Sequence, residues 1–278
     1  MTIHKVSAFS FNNQGGNPAG VLLLDQLPIE SEMLSIAKKV GYSETAFLKP
    51  MEDGWRIRYF APDMEVPFCG HATIASGAVL GEQVGTGDYK LYLNEGSINI
   101  SVINEESNFI VSLQSPQTYS EPAPLEYVRE LISTFNFSLN DIDIANYPIR
   151  FASAGAKHLI LFVKEHNTLK QMEYDFDTLK QAMKKEGLVT VNLLWPESNQ
   201  LIHSRNPFPP GGVYEDPATG AAAAALAGYL RDINWKGEQK FEVRQGTEMG
   251  CPSRLQVEYS QEIGSSIKIS GDTRKIIV

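Results

Sequence analysis

The stretch CGHATIASGAVL, residues 69–80, consists of small and apolar side chains and contains no Asp, Glu, Lys or Arg. A second stretch of the same kind, TGAAAAALAGYL, occupies residues 219–230. A helix that is apolar on all sides is buried rather than laid on a surface. We therefore predict two buried helices, one over residues 70–80 and one that begins after Gly220, each enclosed by β-sheet.

Extended segments surround the first of these helices. Residues 30–40 predict an amphipathic helix, because Leu34, Ala37 and Val40 recur at helical spacing and Gly41 follows as a C-cap. Residues 16–18 have the composition of a turn. Strands are predicted over residues 3–9, 20–24, 43–48, 55–60, 89–93, 97–103 and 109–113.

The second half of the chain repeats features of the first half in the same order. The similar segments are residues 16–24 and 154–163, residues 58–62 and 205–209, and residues 94–96 and 244–246. The two small-residue helices are a further similar pair. Such a series predicts an internal duplication, and hence two similar lobes with a cleft between them, where small-molecule sites are common. The proline-containing segment 114–124 is the expected linker, and an amphipathic helix follows from Leu125.

Composition limits the classes of partner and compartment. The chain has 278 residues and a net charge of -9, without the clustered Lys and Arg that nucleic acid binding requires. Its two cysteines exclude a disulfide-dense secreted scaffold. We find no signal-peptide pattern at the start and no apolar stretch of membrane-spanning length. We therefore expect a cytoplasmic protein that binds neither nucleic acid nor membrane.

Glu44 is the first candidate for chemistry. In the segment Ser43-Glu44-Thr45-Ala46-Phe47-Leu48, alternation along a strand places Glu44 on the same face as Ala46 and Leu48. A carboxylate on an apolar face is costly to keep charged, which suits a side chain that takes up and releases protons. The alternative is a glutamate on an edge strand whose side chain simply reaches water.

Two further segments carry candidates near the helix starts. In Cys69-Gly70-His71, the glycine allows close approach of a ligand and the helix start favours an anion, with His71 as its neighbour; alternatively, His71 is a structural histidine. Asp216 before Pro217 is either a functional carboxylate or the N-cap of the second helix. Cys69 and His71 are only two ligands, so no metal site is predicted. Nucleotide-binding and nucleophile-elbow motifs are absent, and no cofactor is expected.

Taken in order, these segments resemble the phenazine-biosynthesis PhzF-like family. The resemblance implies an α+β, diaminopimelate epimerase-like fold with two pseudo-symmetric lobes, each a curled and mainly antiparallel sheet around a central helix. The expected lobes are residues 1–115 with a C-terminal strand at about 266–278, and residues 116–265. The matching segments are Gly16-Asn17-Pro18-Ala19-Gly20-Val21, Ser43-Glu44-Thr45-Ala46-Phe47, Arg58-Tyr59-Phe60-Ala61-Pro62, Cys69-Gly70-His71-Ala72-Thr73, Glu215-Asp216-Pro217-Ala218-Thr219-Gly220 and Gln245-Gly246.

The same resemblance implies an activity and roles for single residues. The family reaction is a cofactor-independent isomerisation of trans-2,3-dihydro-3-hydroxyanthranilate, a small carboxylate-bearing substrate, within a biosynthetic process. Glu44 would be the catalytic acid/base, while His71 and Asp216 would position the substrate and stabilise its charge. A homodimer is the family expectation. The substrate-binding positions would be Asn17, Ser43, Gly70, Gly220 and Ala221.

The chain departs from the family pattern at Ala221, where many members carry a serine, and in the proline-richer segment 205–210. Two alternatives remain open at this level. One is an amino-acid epimerase or racemase of the same fold, for which Cys69 could supply one of two opposed thiols. The other is a protein that binds a small carboxylate without converting it.

Overall fold

The computed structural model describes residues 2–105 and 108–277, and the chain divides into two compact units. The first unit comprises the residues up to Gln114, together with Pro252–Arg254 and the C-terminal segment from Ser270. The second unit comprises Ser115–Cys251 and Leu255–Ile269. Sheet and helix occur in both units, as the expected α+β class requires.

The first unit is built from strands β1–β8 and helices α1 and α2. Strand β2 runs parallel to β3, β3 pairs antiparallel with β4, and β6, β7 and β8 form an antiparallel meander. The elements are β1 His4–Ser10, β2 Asn17–Leu23, α1 Glu30–Val40, β3 Glu44–Met51, β4 Gly54–Phe60, β5 Glu65–Val66, α2 Gly70–Gln83, β6 Gly87–Tyr92, β7 Ser97–Glu105 and β8 Asn108–Gln114.

Helix α1 has the predicted bounds and the predicted end. Gly41 adopts the left-handed conformation with φ of 75°, and its N–H donates to the carbonyl of Ala37. Acidic side chains lie in the first turn and basic ones in the last, as the helix dipole favours. The apolar side of α1 buries Met33 and Ala37 against Phe47 and Phe60. This packing covers one face of β3. The opposite face, which carries Glu44, is directed toward α2.

Helix α2 is buried along nearly its whole length, as its small residues predict. Its residues from His71 to Gly81 are all buried. Gly77 and Gly81 face the meander, where a Cβ on Gly77 would lie 2.4 Å from Val111 Cγ1 and one on Gly81 would lie 2.8 Å from Phe109. The glycines therefore allow the sheet to approach the helix more closely than any side chain would permit.

The second unit contains strands β9–β15 and helices α3–α6, and the last two strands, β16 and β17, contribute residues to both units. A short 3-10 turn, Pro209–Gly211, lies between β13 and β14. The elements are β9 Tyr119–Pro122, α3 Leu125–Ser133, β10 Arg150–Ser153, β11 Lys157–Phe162, α4 His166–Lys170, α5 Phe176–Lys185, β12 Thr190–Ser198, β13 Leu201–Pro207, β14 Glu215–Asp216, α6 Gly220–Asp232, β15 Lys240–Gln245, β16 Ser253–Glu258 and β17 Lys268–Lys275.

The two units have the same order of strand pairings, as the repeated sequence features predict. In the first unit, β1–β2 is antiparallel, β2–β3 parallel, β3–β4 and β4–β5 antiparallel and β4–β6 parallel. The series β10–β11, β11–β12, β12–β13, β13–β14 and β13–β15 has the same directions. A small-residue helix, α2 or α6, follows the short fifth strand of each series.

Matching side chains accompany the repeated pairings. Arg58 donates to Glu65 at 2.8 and 2.5 Å, and Arg205 donates to Glu215 at 3.0 and 2.5 Å. In each unit the arginine lies on the fourth strand of the series and the glutamate begins the fifth. Gly96 and Gly246 likewise share a left-handed conformation, with φ of 77° and 76°. The duplication is therefore visible in contacts as well as in strand order.

Helix α6 matches α2 in its burial and in its use of glycine. Its residues from Ala222 to Arg231 are all buried, and a Cβ on Gly228 would lie 2.6 Å from Thr118 Cβ. Each buried helix thus uses glycine where a neighbouring segment of its own unit packs most closely against it. Within residues 2–105 and 108–277, every helix falls short of the length and hydrophobicity needed to cross a membrane.

The turn predicted over residues 16–18 was wrong. Asn17 and Pro18 belong to strand β2 rather than to a turn, since both pair with β1. The expected linker, residues 114–124, contains the boundary between the two units after Gln114, and its residues Tyr119–Pro122 form strand β9, which pairs antiparallel with β10. The lobe bounds expected from the sequence stay a prediction.

The contact between Gly77 and Val111 provides a test of the close packing around α2. Gly77→Ala should lower the free energy of unfolding by about 1–2 kcal/mol, because overpacking outweighs the better helix propensity of alanine. Urea unfolding of the wild type, Gly77→Ala, Val111→Ala and the double variant measures the coupling. The double variant should be more stable than the sum of the single losses predicts. Additive losses, within about 0.5 kcal/mol, would contradict the proposed contact.

Candidate functional site

Glu44 begins strand β3, which pairs with β2 on one side and β4 on the other. The strand is therefore not an edge, and the alternative of a glutamate that simply reaches water was wrong. The Glu44 side chain is only 18% exposed, and its neighbours Thr45 to Leu48 are buried. The carboxylate thus lies at the end of a buried strand, on the face directed toward α2.

His71 lies beside this carboxylate in the first turn of α2. Its Nε2 atom is 3.3 Å from Glu44 Oε2 and also 3.3 Å from Ser43 Oγ. On the other side of the ring, Cys69 Sγ lies 3.4 Å from Nδ1 and 3.9 Å from Nε2. The structure therefore brings together Ser43, Glu44, Cys69 and His71 in the first unit, and we call these four residues the Glu44 cluster.

The Glu44 carboxylate is incompletely satisfied. Its Oε2 atom is buried, and among the described residues no donor reaches it with hydrogen-bond geometry, although His71 Nε2 is within 3.3 Å. A buried carboxylate oxygen without a donor is unfavourable and is seldom retained without a reason. Such a group is suited to interaction with a bound molecule or to exchange of a proton.

A chain of hydrogen bonds holds the start of α2 in place. Thr73 Oγ1 donates to the carbonyl of Cys69 at 2.7 Å, so the hydroxyl of Tyr59, at 2.6 Å, must donate to Thr73. Burial raises the pKa of the Tyr59 hydroxyl well above its usual range, which keeps it a donor. Tyr59 therefore fixes the backbone that carries Cys69 and His71.

The start of α2 also has room for a ligand. Apart from its chain neighbours and the backbone of α2 itself, no atom among the described residues lies within 4 Å of the position that a Cβ on Gly70 would take. The first N–H groups of a helix have no partners within the helix, and they favour an anion. Gly70 therefore leaves an open approach to a positively polarised helix end next to Glu44.

Asp216 and its neighbours form a second polar group, in the second unit. Thr219 Oγ1 donates to Asp216 Oδ2 at 2.6 Å, and the Gln245 amide nitrogen donates to the Asp216 carbonyl and to Thr219 Oγ1. The Gln245 oxygen accepts from the Thr219 N–H at 3.1 Å. Gln245 thus fixes the loop before α6, a role that the Gln245-Gly246 motif alone did not reveal.

The prediction of Asp216 as an N-cap was wrong. Asp216 lies in strand β14 opposite Asn206, and helix α6 begins at Gly220 with Thr219 as its N-cap. Pro217 therefore precedes the helix rather than occupying its first position. Thr219 turns the loop back onto Asp216, so the aspartate side chain is held by the loop and does not cap the helix.

The remaining predicted substrate-binding positions have different surroundings. Asn17 is 2% exposed and lies at the start of β2, while Gly220 and Ala221 begin α6 and are partly exposed. Asn17 and Gly70 belong to the first unit, whereas Asp216, Gly220 and Ala221 belong to the second. Substrate binding by these residues stays a prediction.

A buried polar network lies behind the start of α6. His158 Nδ1 donates to Thr190 Oγ1 at 2.8 Å, because the Thr190 hydroxyl itself donates to Asn206 Oδ1. The Asn206 amide donates to Ser204, and Asn192 donates to the carbonyl of Ala222 in α6. The network therefore connects strands β11, β12 and β13 to the second buried helix, through contacts that are distant in sequence.

His158 makes this network sensitive to acid. Full burial lowers the pKa of His158 to about 3, and its Nε2 atom is buried without a donor or acceptor among the described residues. The folded protein therefore keeps this imidazole neutral, with its proton on Nδ1. The ordinary histidine pKa in an unfolded chain is about 6.5.

The pKa difference predicts a loss of stability in acid. Above pH 6.5 neither state binds this proton, whereas between about pH 6.5 and 3 only the unfolded state binds it, so stability falls by up to about 1.4 kcal/mol per pH unit. His158→Gln should have a shallower decline, measured by urea unfolding from pH 7 to 4. Thr190→Ser, which keeps the hydroxyl, is the control and should keep the wild-type slope. Equal slopes for His158→Gln and wild type would contradict the assignment.

The chain is similar to known proteins over nearly its whole length. The model of a phenazine biosynthesis-like protein family, PhzC-PhzF, matches residues 6–276. An uncharacterized isomerase of Clostridium acetobutylicum is 29% identical, and the alignment covers 97% of this chain and 94% of the relative. The similarity therefore extends over both units.

Solved structures give the same result for the fold. A PhzF family phenazine biosynthesis protein of Bacillus anthracis has a TM-score of 0.85 at 24% identity, covering 99% of this chain and 96% of the other. A predicted epimerase of Pseudomonas aeruginosa has the same TM-score, identity and coverage. These similarities confirm the expected α+β, diaminopimelate epimerase-like fold.

Proposed function

The chain belongs to the phenazine biosynthesis-like PhzC-PhzF family, and we propose that it is an isomerase in which Glu44 moves a proton on a small carboxylate-bearing substrate. The family match and the relatives that are named isomerases confirm the expected family and enzyme class. The observation that carries the finer proposal is the Glu44 cluster, and above all the buried Oε2 atom that lacks a hydrogen-bond donor.

Glu44 serves in this proposal first as a base and then as an acid. The carboxylate removes a proton from a substrate carbon, the electron pair of the broken C–H bond moves into the conjugated system, and the same carboxyl returns the proton at another carbon. Substrate and product then differ only in the position of one hydrogen, so no electrons are gained or lost. One side chain on a buried strand is sufficient for such a transfer, and we propose that it proceeds without a cofactor.

His71 has a positioning and charge-balancing role. The contact of 3.3 Å with Glu44 Oε2 allows the imidazole to donate to the carboxylate after a small rotation, and Ser43 and Cys69 contact the same ring. These contacts limit the orientations of the imidazole. His71 can therefore adjust its hydrogen bond to Glu44 as the carboxylate takes up and releases its proton.

In this proposal, the N–H groups at the start of α2 bind the substrate carboxylate. The open space at Gly70 supports this assignment, because an anion can approach the helix end without displacing a side chain. We further propose that Asp216 positions the substrate and that Gly220 and Ala221 contribute to its binding. The loop contacts of Thr219 and Gln245 hold Asp216 for that task.

Within this class, the proposed substrate resembles trans-2,3-dihydro-3-hydroxyanthranilate, a conjugated ring acid. Ala221 provides a backbone N–H but no hydroxyl where many family members have serine. A substrate with one fewer hydrogen-bonding group at that position fits this difference. We also propose a cytoplasmic homodimer with a biosynthetic role, and the molar mass in solution by light scattering tests the dimer.

Deuterium exchange tests the role of Glu44. In heavy water, the wild type should incorporate deuterium into dihydro-hydroxyanthranilate or a related conjugated acid, followed by proton NMR. Glu44→Gln should fold normally and lower the exchange rate by about 10²–10⁴-fold, the usual contribution of general acid–base catalysis. Glu52→Gln, which changes an exposed glutamate just after β3, should exchange at the wild-type rate. Unchanged exchange in Glu44→Gln would remove the proposed mechanism.

A thiol-based epimerase is the second candidate, because the Glu44 cluster contains Cys69. In that case the thiol rather than the carboxylate would move the proton. Glu44→Gln would then retain exchange, while alkylation of Cys69 would abolish it. If neither wild-type nor variant protein exchanges protons on any acid that binds, the protein is instead a carboxylate-binding protein.

A further inference from the structure

Three basic side chains lie together on the face of β3 and β4 that packs against α1. Lys49 is directly opposite Arg56 in the pairing of the two strands, and Phe47 is opposite Arg58. Residues that are opposite each other on paired strands point to the same side of the sheet, and so do alternate residues of one strand. The three basic side chains therefore share the face of Phe47, which packs against α1.

These side chains line an open pocket of about 380 Å³ in the first unit, which we call the Lys49–Arg56 pocket. Its other walls include Leu27 before α1, Met51 at the end of β3 and Asn94 after β6. The charged side chains that line it are all basic, although the chain has a net charge of -9. Pockets for small ligands usually have volumes of about 300–1,000 Å³, so this one is large enough for a small ligand.

The charge of Arg58 is compensated within the first unit. Its guanidinium donates to Glu65 at 2.8 and 2.5 Å, and Glu30 Oε2 lies 3.4 Å from its Nη2 atom. The hydrogen bond to Glu65 is the main reason that the pKa of Arg58 lies above its usual value. Arg58 therefore has counterions of its own and does not require a further anion.

Arg56 and Lys49 lack such counterions. Arg56 Nη1 donates to the carbonyls of Ile57 and Tyr92 at 2.6 and 2.7 Å. Its Nη2 atom donates to the side-chain oxygen of Asn94, and all three acceptors are neutral. Within residues 2–105 and 108–277, the Arg56 Nε–H has no acceptor, and the half-buried Lys49 has neither a hydrogen bond nor an ion pair. Two positive charges thus face each other without compensation.

Such an arrangement is unfavourable in the absence of an anion. Like charges directly opposite each other on paired strands are destabilising. Burial, and after it the neighbouring charge of Arg58, lowers the pKa of Arg56. An anion with two negative charges would compensate both Lys49 and Arg56, whereas a carboxylate would compensate only one of them. The planar guanidinium, with its Nε–H unoccupied, also matches the geometry of phosphate oxygens.

We propose that the Lys49–Arg56 pocket binds a phosphate dianion, either as free inorganic phosphate or as the phosphate group of a small monoester. Arg56 Nε and Lys49 Nζ are the donors to the phosphate oxygens. Leu27 and Met51 provide an apolar wall for the organic part of a monoester. The pocket lies on the face of β3 opposite Glu44, so this site is separate from the proposed catalytic residue and does not rest on the proposed function.

Isothermal titration calorimetry with inorganic phosphate and phenyl phosphate tests the site, in dilute salt at about pH 8, where both ions carry close to two negative charges. Each should bind saturably at one ion per chain, and acetate should bind at least about tenfold more weakly. Tighter binding of phenyl phosphate supports a monoester as the ligand, and equal or tighter binding of inorganic phosphate supports the free ion. Acetate that binds as tightly as phosphate would contradict the choice of a dianion.

A matched pair of lysine variants locates the binding. Lys49→Gln should weaken phosphate binding by roughly 10–100-fold, the usual effect of losing one charge-assisted hydrogen bond. Lys39→Gln removes the same charge from an exposed lysine in the last turn of α1 and should keep the wild-type affinity. Arg56→Lys keeps the charge but lacks the planar fork, so it should also weaken binding.

Urea unfolding separates binding from a structural role. Without phosphate, Lys49→Gln should be at least as stable as the wild type, because one of two facing like charges is removed. With saturating phosphate, the wild type should become the more stable of the two. The proposal is overturned if neither phosphate binds saturably, if Lys49→Gln binds as tightly as the wild type, or if Lys39→Gln shows the same loss. Should Lys49→Gln not fold, the affinity of Arg56→Lys decides the matter.

Discussion

The candidate site depends on the cost of placing a carboxylate at the end of a buried strand. Glu44 is held there by β2 and β4 on its two sides, and by α1 behind the strand. One of its oxygens is left without a hydrogen-bond donor among the described residues. A protein fold tolerates such a group where it has a use. Proton transfer and anion recognition are the two uses that the neighbouring groups support.

The helix beside Glu44 determines what these uses can be. Gly77 and Gly81 bring α2 against its sheet, and the Tyr59–Thr73 contacts fix the backbone at its start. Because the helix cannot shift, His71 and Cys69 are held near the carboxylate. The second unit repeats the arrangement with α6, where the polar network of His158, Thr190 and Asn206 has a comparable supporting role.

Much of the fold could be predicted from the sequence, because its strongest signals are local. Small residues in α2 and α6, the C-cap at Gly41 and the repeated sequence features all depend on neighbouring positions in the chain. The predictions that were wrong concern tertiary contacts. Pro18 is part of a strand because β1 pairs with it, and Thr219 rather than Asp216 precedes α6 because the loop folds back on itself.

Members of the candidate site could be proposed from the sequence, whereas the distances between them could not. Alternation and helix starts make Glu44 and His71 candidates, but the contact between them joins residues far apart in the chain. The same limit concealed the role of Gln245, whose partners lie 26 and 29 positions away. Periodicity predicts the face on which a side chain lies, whereas the contacts of that side chain are seen only in the folded chain.

The most direct test of the central claim is a crystal structure of the protein with a bound conjugated ring acid. The ligand carboxylate should lie on the N–H groups at the start of α2. A Glu44 oxygen should lie within about 3.2 Å of the carbon that exchanges its proton, which is the reach of a general base. A ligand bound away from Glu44, or a carboxyl group of Glu44 turned away from that carbon, would contradict the account.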